Sequence, residues 1–166
     1  MPTVADLVRA GLFISAAEAI VQGPIDKVLL DATTLAVTRA LHAGKMLCFA
    51  NLAGTTVTLP AATGSGDVYE FMTTVVPTSN SNIVKVANAT DVMVGALTTV
   101  DNAAGTCTPF GTVAASDTIT LNRGTTGGVR IGERITLIDA AAGTWSVQGT
   151  VVATGAEVTP FSATVS

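Results

Sequence analysis

The chain has 166 residues and a net charge of −4, and only 12% of its residues are charged although 48% are hydrophobic. An average soluble domain is about 25% charged, so we infer that other protein covers much of this surface. The sequence contains no basic patch to meet phosphates and no polybasic segment to meet anionic lipid, which argues against nucleic acid and membrane surfaces as partners.

Residues 1–24 differ from the rest of the chain and are predicted to form an N-terminal arm. Val4, Leu7 and Leu12 mark a loose helical face, and Gly23-Pro24 ends any helix. We expect a partly helical arm that docks on another molecule through Val4, Leu7, Leu12 and Phe13. The alternative is a short helix packed on its own domain.

From residue 25 to residue 166 the hydrophobic period changes to two, which predicts a β-rich domain. The segments with strand character are Lys27–Leu30, Leu35–Thr38, Lys45–Ala50, Thr56–Leu59, Val68–Val76, Asn82–Ala87, Val92–Thr99, Thr118–Leu121, Val129–Ile131, Arg134–Ile138, Thr144–Val152 and Phe161–Val165. Gly and Asn turns separate these segments, which is typical of an all-β, antiparallel sandwich or barrel, jelly-roll-like in outline. A looser stretch at 101–116 suggests an alternative division into two β subdomains.

Threonine is frequent in the predicted strands. Its branched side chain favours strands, and its hydroxyl solvates a sheet face without adding charge. Burying such a face against another protein costs much less than burying charged groups. A low-charge strand surface therefore fits a chain that is soluble alone and then docks.

Candidate catalytic residues are few. His42 is the single histidine, and we interpret it as a turn or interface residue that bonds nearby backbone. Asp67 and Glu70 are the nearest pair of acids that resembles a hydrolase couple, but such pairs are usually just solvated. The acids at 91, 101, 117 and 139 each flank a predicted turn, where such side chains bond their own backbone. We therefore expect no enzyme activity and no catalytic residue.

Metal and cofactor sites are not predicted either. Cys48 and Cys107 lack the spacing of zinc ligands, and we interpret them as small buried hydrophobic residues, with a disulfide between them as the alternative. Gly64-Ser65-Gly66 lacks the spacing and the lysine of a phosphate-binding loop, so it is expected to be a hairpin turn. The long uncharged stretch at 46–66 contains Asn51 and Pro60 and does not predict a membrane span.

Trp145 is the single tryptophan. In the segment Gly143–Val147 it is expected to be a core residue or an inter-subunit anchor rather than a platform for a sugar. We include it among the predicted contact residues.

Three segments of turn and strand residues resemble segments of a known class of protein. They are Leu59-Pro60-Ala61-Ala62-Thr63-Gly64-Ser65-Gly66 followed by Tyr69 and Phe71; Asn82-Ile83-Val84-Lys85-Val86 continuing to Asp91-Val92-Met93 and Gly95; and Asp117-Thr118-Ile119 through Gly127-Gly128 and Gly143-Thr144-Trp145 to Val151, Gly155 and Phe161-Ser162. Together they resemble the capsid decoration (head cement) proteins of tailed bacteriophages and related head-fibre proteins. The resemblance spans residues 42–166 and leaves the N-terminal arm uncovered.

The resemblance implies a small β-rich structural protein, made in the host cytoplasm, that binds the exterior of a mature phage capsid. It implies the major capsid protein as partner, a homotrimer as the assembly, and a location on the virion. The N-terminal arm would clamp a neighbouring capsomer. The alternative is a head-fibre or tail-fibre module that binds host-surface glycans, for which Tyr69 and Trp145 are the candidate aromatic contacts; an enzyme is the least favoured class.

Overall fold

A computed structural model describes residues 26–165 of the chain. Its regular structure is nearly all β, and the elements in chain order are β1 (Lys27–Leu30), β2 (Thr34–Ala36), α1 (Arg39–His42), β3 (Met46–Phe49), β4 (Thr56–Thr58), β5 (Val68–Thr73), β6 (Asn82–Lys85), β7 (Val92–Asp101), β8 (Cys107–Gly111), β9 (Thr118–Leu121), β10 (Arg134–Ala141), β11 (Thr144–Ala153) and β12 (Phe161–Ser162). The predicted N-terminal arm lies outside the described residues, and so do Val4, Leu7, Leu12 and Phe13.

The strands form two sheets of mixed direction. The seven-stranded sheet has the order β1-β3-β5-β10-β11-β7-β8, and the five-stranded sheet has the order β12-β9-β6-β4-β2. Five neighbouring pairs are parallel: β1 with β3, β3 with β5, β7 with β11, β2 with β4, and β4 with β6. The all-β prediction is confirmed, but the prediction of purely antiparallel sheets is wrong.

The parallel pairs arise because the first six strands alternate between the two sheets. Strands β1, β3 and β5 lie in one sheet, whereas β2, β4 and β6 lie in the other, and each pairs parallel to the strand two places earlier. Stacked sheets are about 10 Å apart, and the three residues that join β1 to β2 can span about 10 Å when extended. A short turn is therefore able to cross to the other sheet as easily as it forms a hairpin.

One cluster of buried apolar side chains is shared by both sheets. The seven-stranded sheet contributes Leu47, Phe71, Leu137 and Trp145 among others, and the five-stranded sheet contributes Val57, Val84, Ile119 and Leu121. The two-residue alternation places these side chains on the inner face of each strand. The cluster includes residues from both sides of 101–116, a segment that itself contains β8.

Most predicted strands correspond to observed ones, and β1 and β9 have the predicted bounds. The predicted strand Val129–Ile131 is absent because the backbone there turns around a carboxylate: the N–H groups of Gly128 and Arg130 donate to Glu133 at 2.7 and 2.6 Å. Strand β8 and helix α1 were not predicted. Pro109 and the neighbouring glycines weaken the strand pattern of β8, and α1 is a single turn.

Candidate functional site

His42 lies in α1 with 7% of its surface exposed. Its ring nitrogen Nδ1 accepts a hydrogen bond from the backbone N–H of Thr38 at 2.9 Å, one helical turn earlier. Thr38 is the N-cap residue and its own side chain caps nothing, so the histidine ring satisfies this otherwise unpaired N–H. This is the local backbone contact that the sequence predicted for His42, and it gives the ring a structural role.

The loop after β4 wraps around the carboxylate of Asp139, which projects inward from β10. Thr63 donates from its N–H at 2.9 Å and from its hydroxyl at 2.9 Å. Gly64 donates its N–H at 2.7 Å, and Ser65 donates its N–H at 3.1 Å and its hydroxyl at 2.8 Å. Gly64 has a φ of +78°, which turns the chain so that successive N–H groups converge on one point. We call residues 63–65 and Asp139 the carboxylate cradle.

The cradle determines the ionisation of Asp139. Burial of this carboxyl acts to raise its pKa, but the hydrogen bonds from Gly64, Ser65 and Thr63 outweigh burial and lower the pKa from 3.8 to about 2. Asp139 is therefore an anion at neutral pH. With several donors already bound to its oxygens, the carboxylate acts as a fixed structural anchor.

Two more buried aspartates also bind segments that are distant in sequence. Asp91 accepts the N–H of Ala62 at 2.9 Å. Asp117 accepts the N–H groups of Thr164 and Val165 at 2.8 and 3.0 Å, which ties down the end of the described chain. The expectation that these acids cap their own turns is correct for Asp101, which accepts from residues 103 and 104, whereas Asp91, Asp117 and Asp139 join separate parts of the fold.

Asp67 and Glu70, the suggested hydrolase pair, do not act as a pair. The Asp67 carboxylate binds the Nε of Arg39 at 2.9 Å, and Glu70 binds Arg134 at 2.9 Å on the outward side of β5. Each acid therefore has its own arginine. Because neighbouring positions alternate between the faces of a strand, a pair three residues apart is directed to opposite sides of the sheet.

A small cavity of about 240 Å³ lies next to the carboxylate cradle. Its walls are Arg39, Pro60, Ala61, Thr63, Ser65, Asp67, Tyr69 and Asp139. Arg39 is at the rim, with 69% of its side chain exposed, while the Asp67 side chain is 16% exposed. We call this space the Tyr69 cavity.

Tyr69 and Trp145 contact each other in the core. Their ring centroids are 5.5 Å apart in an edge-to-face arrangement, and both side chains are fully buried. Among the described residues, neither the Tyr69 hydroxyl nor the Trp145 indole N–H has a hydrogen-bond partner. Trp145 is thus a core residue and offers no side-chain surface to a partner, which answers the choice between core and anchor in favour of the core.

The outward side of the seven-stranded sheet carries mostly uncharged residues with one ion pair. Two rows of neighbouring residues cross all seven strands in the strand order of the sheet, namely Leu29-Cys48-Met72-Arg134-Thr150-Thr98-Pro109 and Lys27-Met46-Glu70-Thr136-Gln148-Ala96-Gly111. We call these fourteen residues the outer face. They include three charged side chains, Lys27, Glu70 and Arg134, and the last two pair with each other.

A shallow depression of about 580 Å³ lies over the middle of the outer face. Thr136, Gln148 and Thr150 form its floor, and the segment from Arg130 to Glu133 forms one wall. Ile131 in that wall is 69% exposed, and Leu29 at the β1 edge of the face is 57% exposed. Charged residues line the depression as well, namely Glu70, Arg130, Glu133 and Arg134. Exposed apolar side chains within a polar surrounding are typical of a protein contact surface.

The two cysteines have different environments. Cys48 is fully buried, and burial raises the pKa of its thiol. Cys107 lies in the edge strand β8 and is exposed, so the expectation that both are buried is wrong for Cys107. Both thiols are free.

Within residues 26–165, no three side chains of the His, Cys, Asp and Glu types converge as a metal site would require. No helix in that range has the length and apolar character needed to cross a bilayer.

Sequence reasoning named Tyr69 but missed its cavity. The alternation Val68-Tyr69-Glu70-Phe71 was a usable signal, because it places Tyr69 on the inner face. Nothing in the sequence indicated that Arg39 meets Asp67, since the single-turn helix α1 that presents Arg39 was not predicted.

Comparison with known proteins gave no match: no family model, no curated protein and no solved structure is significantly similar to this chain.

Proposed function

We propose that the chain is a structural virion protein that binds the exterior of a tailed-phage capsid and stabilises the shell. The starting point is the resemblance of residues 42–166 to capsid decoration proteins. The observation that carries the proposal furthest is the outer face, a broad sheet surface on which eleven of the fourteen residues are uncharged and two of the three charged residues, Glu70 and Arg134, pair with each other. Such a surface can be covered by another protein at a low cost of desolvation.

The state of the buried polar groups supports a structural role. His42 bonds backbone, and Asp91, Asp117 and Asp139 each hold a distant loop by its N–H groups. Groups used in this way brace the fold. Bracing of this kind suits a protein whose role is to resist mechanical load.

The proposal includes the assembly and the location. We infer a β-sandwich protomer, built from the two sheets around their shared core, that forms a homotrimer and binds the major capsid protein. Repetition of one docking surface by symmetry lets many individually weak contacts add up across a shell. Residues 1–24 would extend from the domain as the clamp on a neighbouring capsomer.

The direct test is immunogold labelling of virions of the phage that encodes the chain, with an antibody raised against it. We expect gold over the whole head. Gold confined to the tail tip or to a single vertex would contradict the decoration role.

A matched pair of variants tests the docking surface. Thr98→Glu places a charge on the outer face, and Thr58→Glu places the same charge on the outward side of the five-stranded sheet, at another half-buried threonine. We expect Thr98→Glu to weaken binding to shells that lack the protein about tenfold or more, because the new charge must be desolvated on docking. Thr58→Glu should bind as the parent does. Equal binding by both variants would exclude the outer face as the contact.

The glycan-binding alternative is less well supported by the described residues. Its candidate contacts Tyr69 and Trp145 are fully buried, so neither ring can stack on a sugar without rearrangement of the core. Gold at the tail or vertex in the labelling experiment would favour this alternative in spite of their burial.

A further inference from the structure

We propose that residues 4–14 cover, in the same molecule, an apolar row formed by Val68, Ile138, Ser146 and Val94 on the outward side of the seven-stranded sheet. The inference concerns the free chain and does not rest on the capsid role. If that role holds, the segment would leave the row when it clamps a neighbouring capsomer, and the row would then extend the docking surface.

The apolar row crosses four neighbouring strands beside the outer face. Val68 in β5 is opposite Ile138 in β10, Ile138 is opposite Ser146 in β11, and Ser146 is opposite Val94 in β7. Each member lies two positions from a member of the outer face in its own strand, so it is on the same side of the sheet. Val94 is 54% exposed and Val68 is 38% exposed.

The strands of the row are apolar on both faces. Their inward neighbours Tyr69, Leu137, Trp145 and Met93 are fully buried in the core. A sheet with one solvated face alternates apolar and polar residues, whereas strands that are apolar on both faces are typical of a sheet covered on both sides. This end of the outward side therefore has the composition of a covered surface, although residues 26–165 leave it accessible.

The described chain begins at this same end of the sheet. Strands β1, β3 and β5 are parallel, and Lys27 is in register with Met46, which is in register with Glu70. The N–H of Met46 donates to the carbonyl of Asp26 at 2.9 Å, which continues the pairing backwards by one residue. Because Val68 is two positions before Glu70, residues 1–25 join the sheet at the level of the apolar row.

Residues 1–25 are long enough to reach the whole row. Neighbouring strands are about 4.8 Å apart, so the row begins about 10 Å from β1, at β5, and ends about 24 Å from it, at β7. Residues 15–25 alone span up to about 36 Å when extended. They can therefore connect Asp26 to a segment that lies along the row.

The composition of residues 4–14 matches that of the row. Eight of these eleven residues are apolar, and the charges of Asp6 and Arg9 cancel. A segment without net charge can cover an uncharged row at a low cost of desolvation, and burial of apolar surface on both sides favours the contact.

Trypsin cleavage measures the contact, because Arg9 is the only Lys or Arg that precedes Lys27 in the sequence. We expect cleavage after Arg9 in the full chain to be about tenfold slower or more than in a peptide of residues 1–14, since cleavage follows the small population with the segment released. Mass spectrometry of timed samples gives both rates. Equal rates in the chain and the peptide would overturn the proposal.

A matched pair of variants locates the contact. Val94→Asp places a charge in the row, and the segment would have to desolvate it, so the cleavage rate should rise to about that of the peptide. Val158→Asp places the same charge at another exposed valine, between β11 and β12, and should leave the rate unchanged. If Val94→Asp is cleaved at the parent's rate while retaining its near-ultraviolet circular dichroism, the row is not the site.

Leu7→Asp tests the same contact from the segment and leaves the sequence of residues 26–165 unaltered. We expect it to shift the amide NMR signals of the apolar row and to leave that of Thr58, on the five-stranded sheet, in place. Ala19→Asp adds the same charge within residues 15–25 and should shift neither. An unchanged row in Leu7→Asp would also overturn the proposal.

Dilution assigns the segment to its own chain. Protection of Arg9 should persist after about hundredfold dilution, because an intramolecular contact does not depend on protein concentration. Loss of protection on dilution would mean that the segment covers the row of a second copy, and the assignment to the same molecule would be wrong. Immunogold labelling away from the head would overturn the capsid role and leave this contact standing, since these measurements use the free chain.

Discussion

The N–H of Gly64 donates to the carboxylate of Asp139 across 2.7 Å, and the two residues are 75 positions apart in the chain. This bond and its neighbours fix the loop after β4 against β10. We expect Asp139→Asn to lower the free energy of unfolding by about 2 kcal/mol at pH 7, since an amide has one acceptor oxygen and no charge. For a chain of this length the melting temperature should fall by about 4–8 °C. A change under 1 °C would contradict the structural role of the cradle.

The same pair predicts how the stability depends on pH. The pKa of Asp139 is about 2 in the folded chain and 3.8 without the cradle, so its stabilising effect is fully present above pH 4 and is lost as the pH falls towards 2. The difference in unfolding free energy between the parent and Asp139→Asn should therefore shrink between pH 5 and pH 2. Denaturant unfolding at several pH values measures it, and a constant difference would show that the charge is irrelevant.

Tyr69 predicts a spectroscopic signature. It is the single tyrosine, so absorbance at 295 nm follows its ionisation without interference from other phenols. Burial, Asp67 and Asp139 raise its pKa above 10, while Arg39 lowers it. Arg39→Gln should therefore move the midpoint upward and Asp67→Asn should move it downward. An unperturbed midpoint near 10 in a chain that remains folded would show that the hydroxyl is in water.

The raised pKa of Tyr69 also predicts how the stability of the fold changes at alkaline pH. A group that is harder to ionise in the folded chain than in the unfolded chain stabilises the fold below its unfolded pKa, and this contribution is lost as the pH rises above about 10. Alkaline unfolding should accordingly begin later for Tyr69→Phe than for the parent.

The cysteines should differ in reactivity. Cys107 is exposed and Cys48 is fully buried with a raised thiol pKa. We expect Ellman's reagent to label one thiol per chain quickly in native conditions and the second only after unfolding. Cys107→Ser should abolish the fast phase, and Cys48→Ser should leave it unchanged. Fast labelling of both thiols would mean that Cys48 is accessible in the native chain.

Gly149 in β11 marks a place where strands approach very closely. A Cβ atom there would overlap the carbonyl oxygen of Arg134 and lie 2.9 Å from the Cα of Ile135. Gly149→Ala should therefore cost about 3 kcal/mol or more. Gly111→Ala in β8 is the control, because its nearest atom is 4.0 Å away and the change should alter stability by less than about 1 kcal/mol. Similar unfolding curves for the two variants would contradict the close approach.

The sequence predicted the positions of strands better than their partners. The Thr118-Ile119-Thr120-Leu121 alternation located β9 because alternation depends on one strand and one buried face. The parallel pairing of β7 with β11 had no local signal, since it joins Val92–Asp101 to Thr144–Ala153 across 42 intervening residues that include three other strands. Pairing over such a separation is decided by packing of the whole core.

The candidate site was predictable in a similar, partial way. The local contact of His42 followed from its place next to a turn, and Tyr69 was expected on the inner face. The carboxylate cradle was not predicted, because Gly64 was interpreted as part of a hairpin turn and Asp139 as an acid that bonds its own turn. Acids near turns were expected to cap those turns, and no residue pattern marks an acid whose N–H donors come from a distant loop.

The alternation of β1 to β6 between the two sheets has a consequence for synthesis on the ribosome. No strand among these six pairs with its immediate successor, and β7 must wait for β11 before its parallel partner exists. Strands that are far apart in the sequence must be brought together at an entropic cost before their hydrogen bonds can form. Folding should therefore be slow compared with domains rich in local contacts. The nascent chain would expose open strand edges until residue 153 has emerged, and its low charge gives little protection during that interval. We therefore expect the chain to depend on a chaperone during expression.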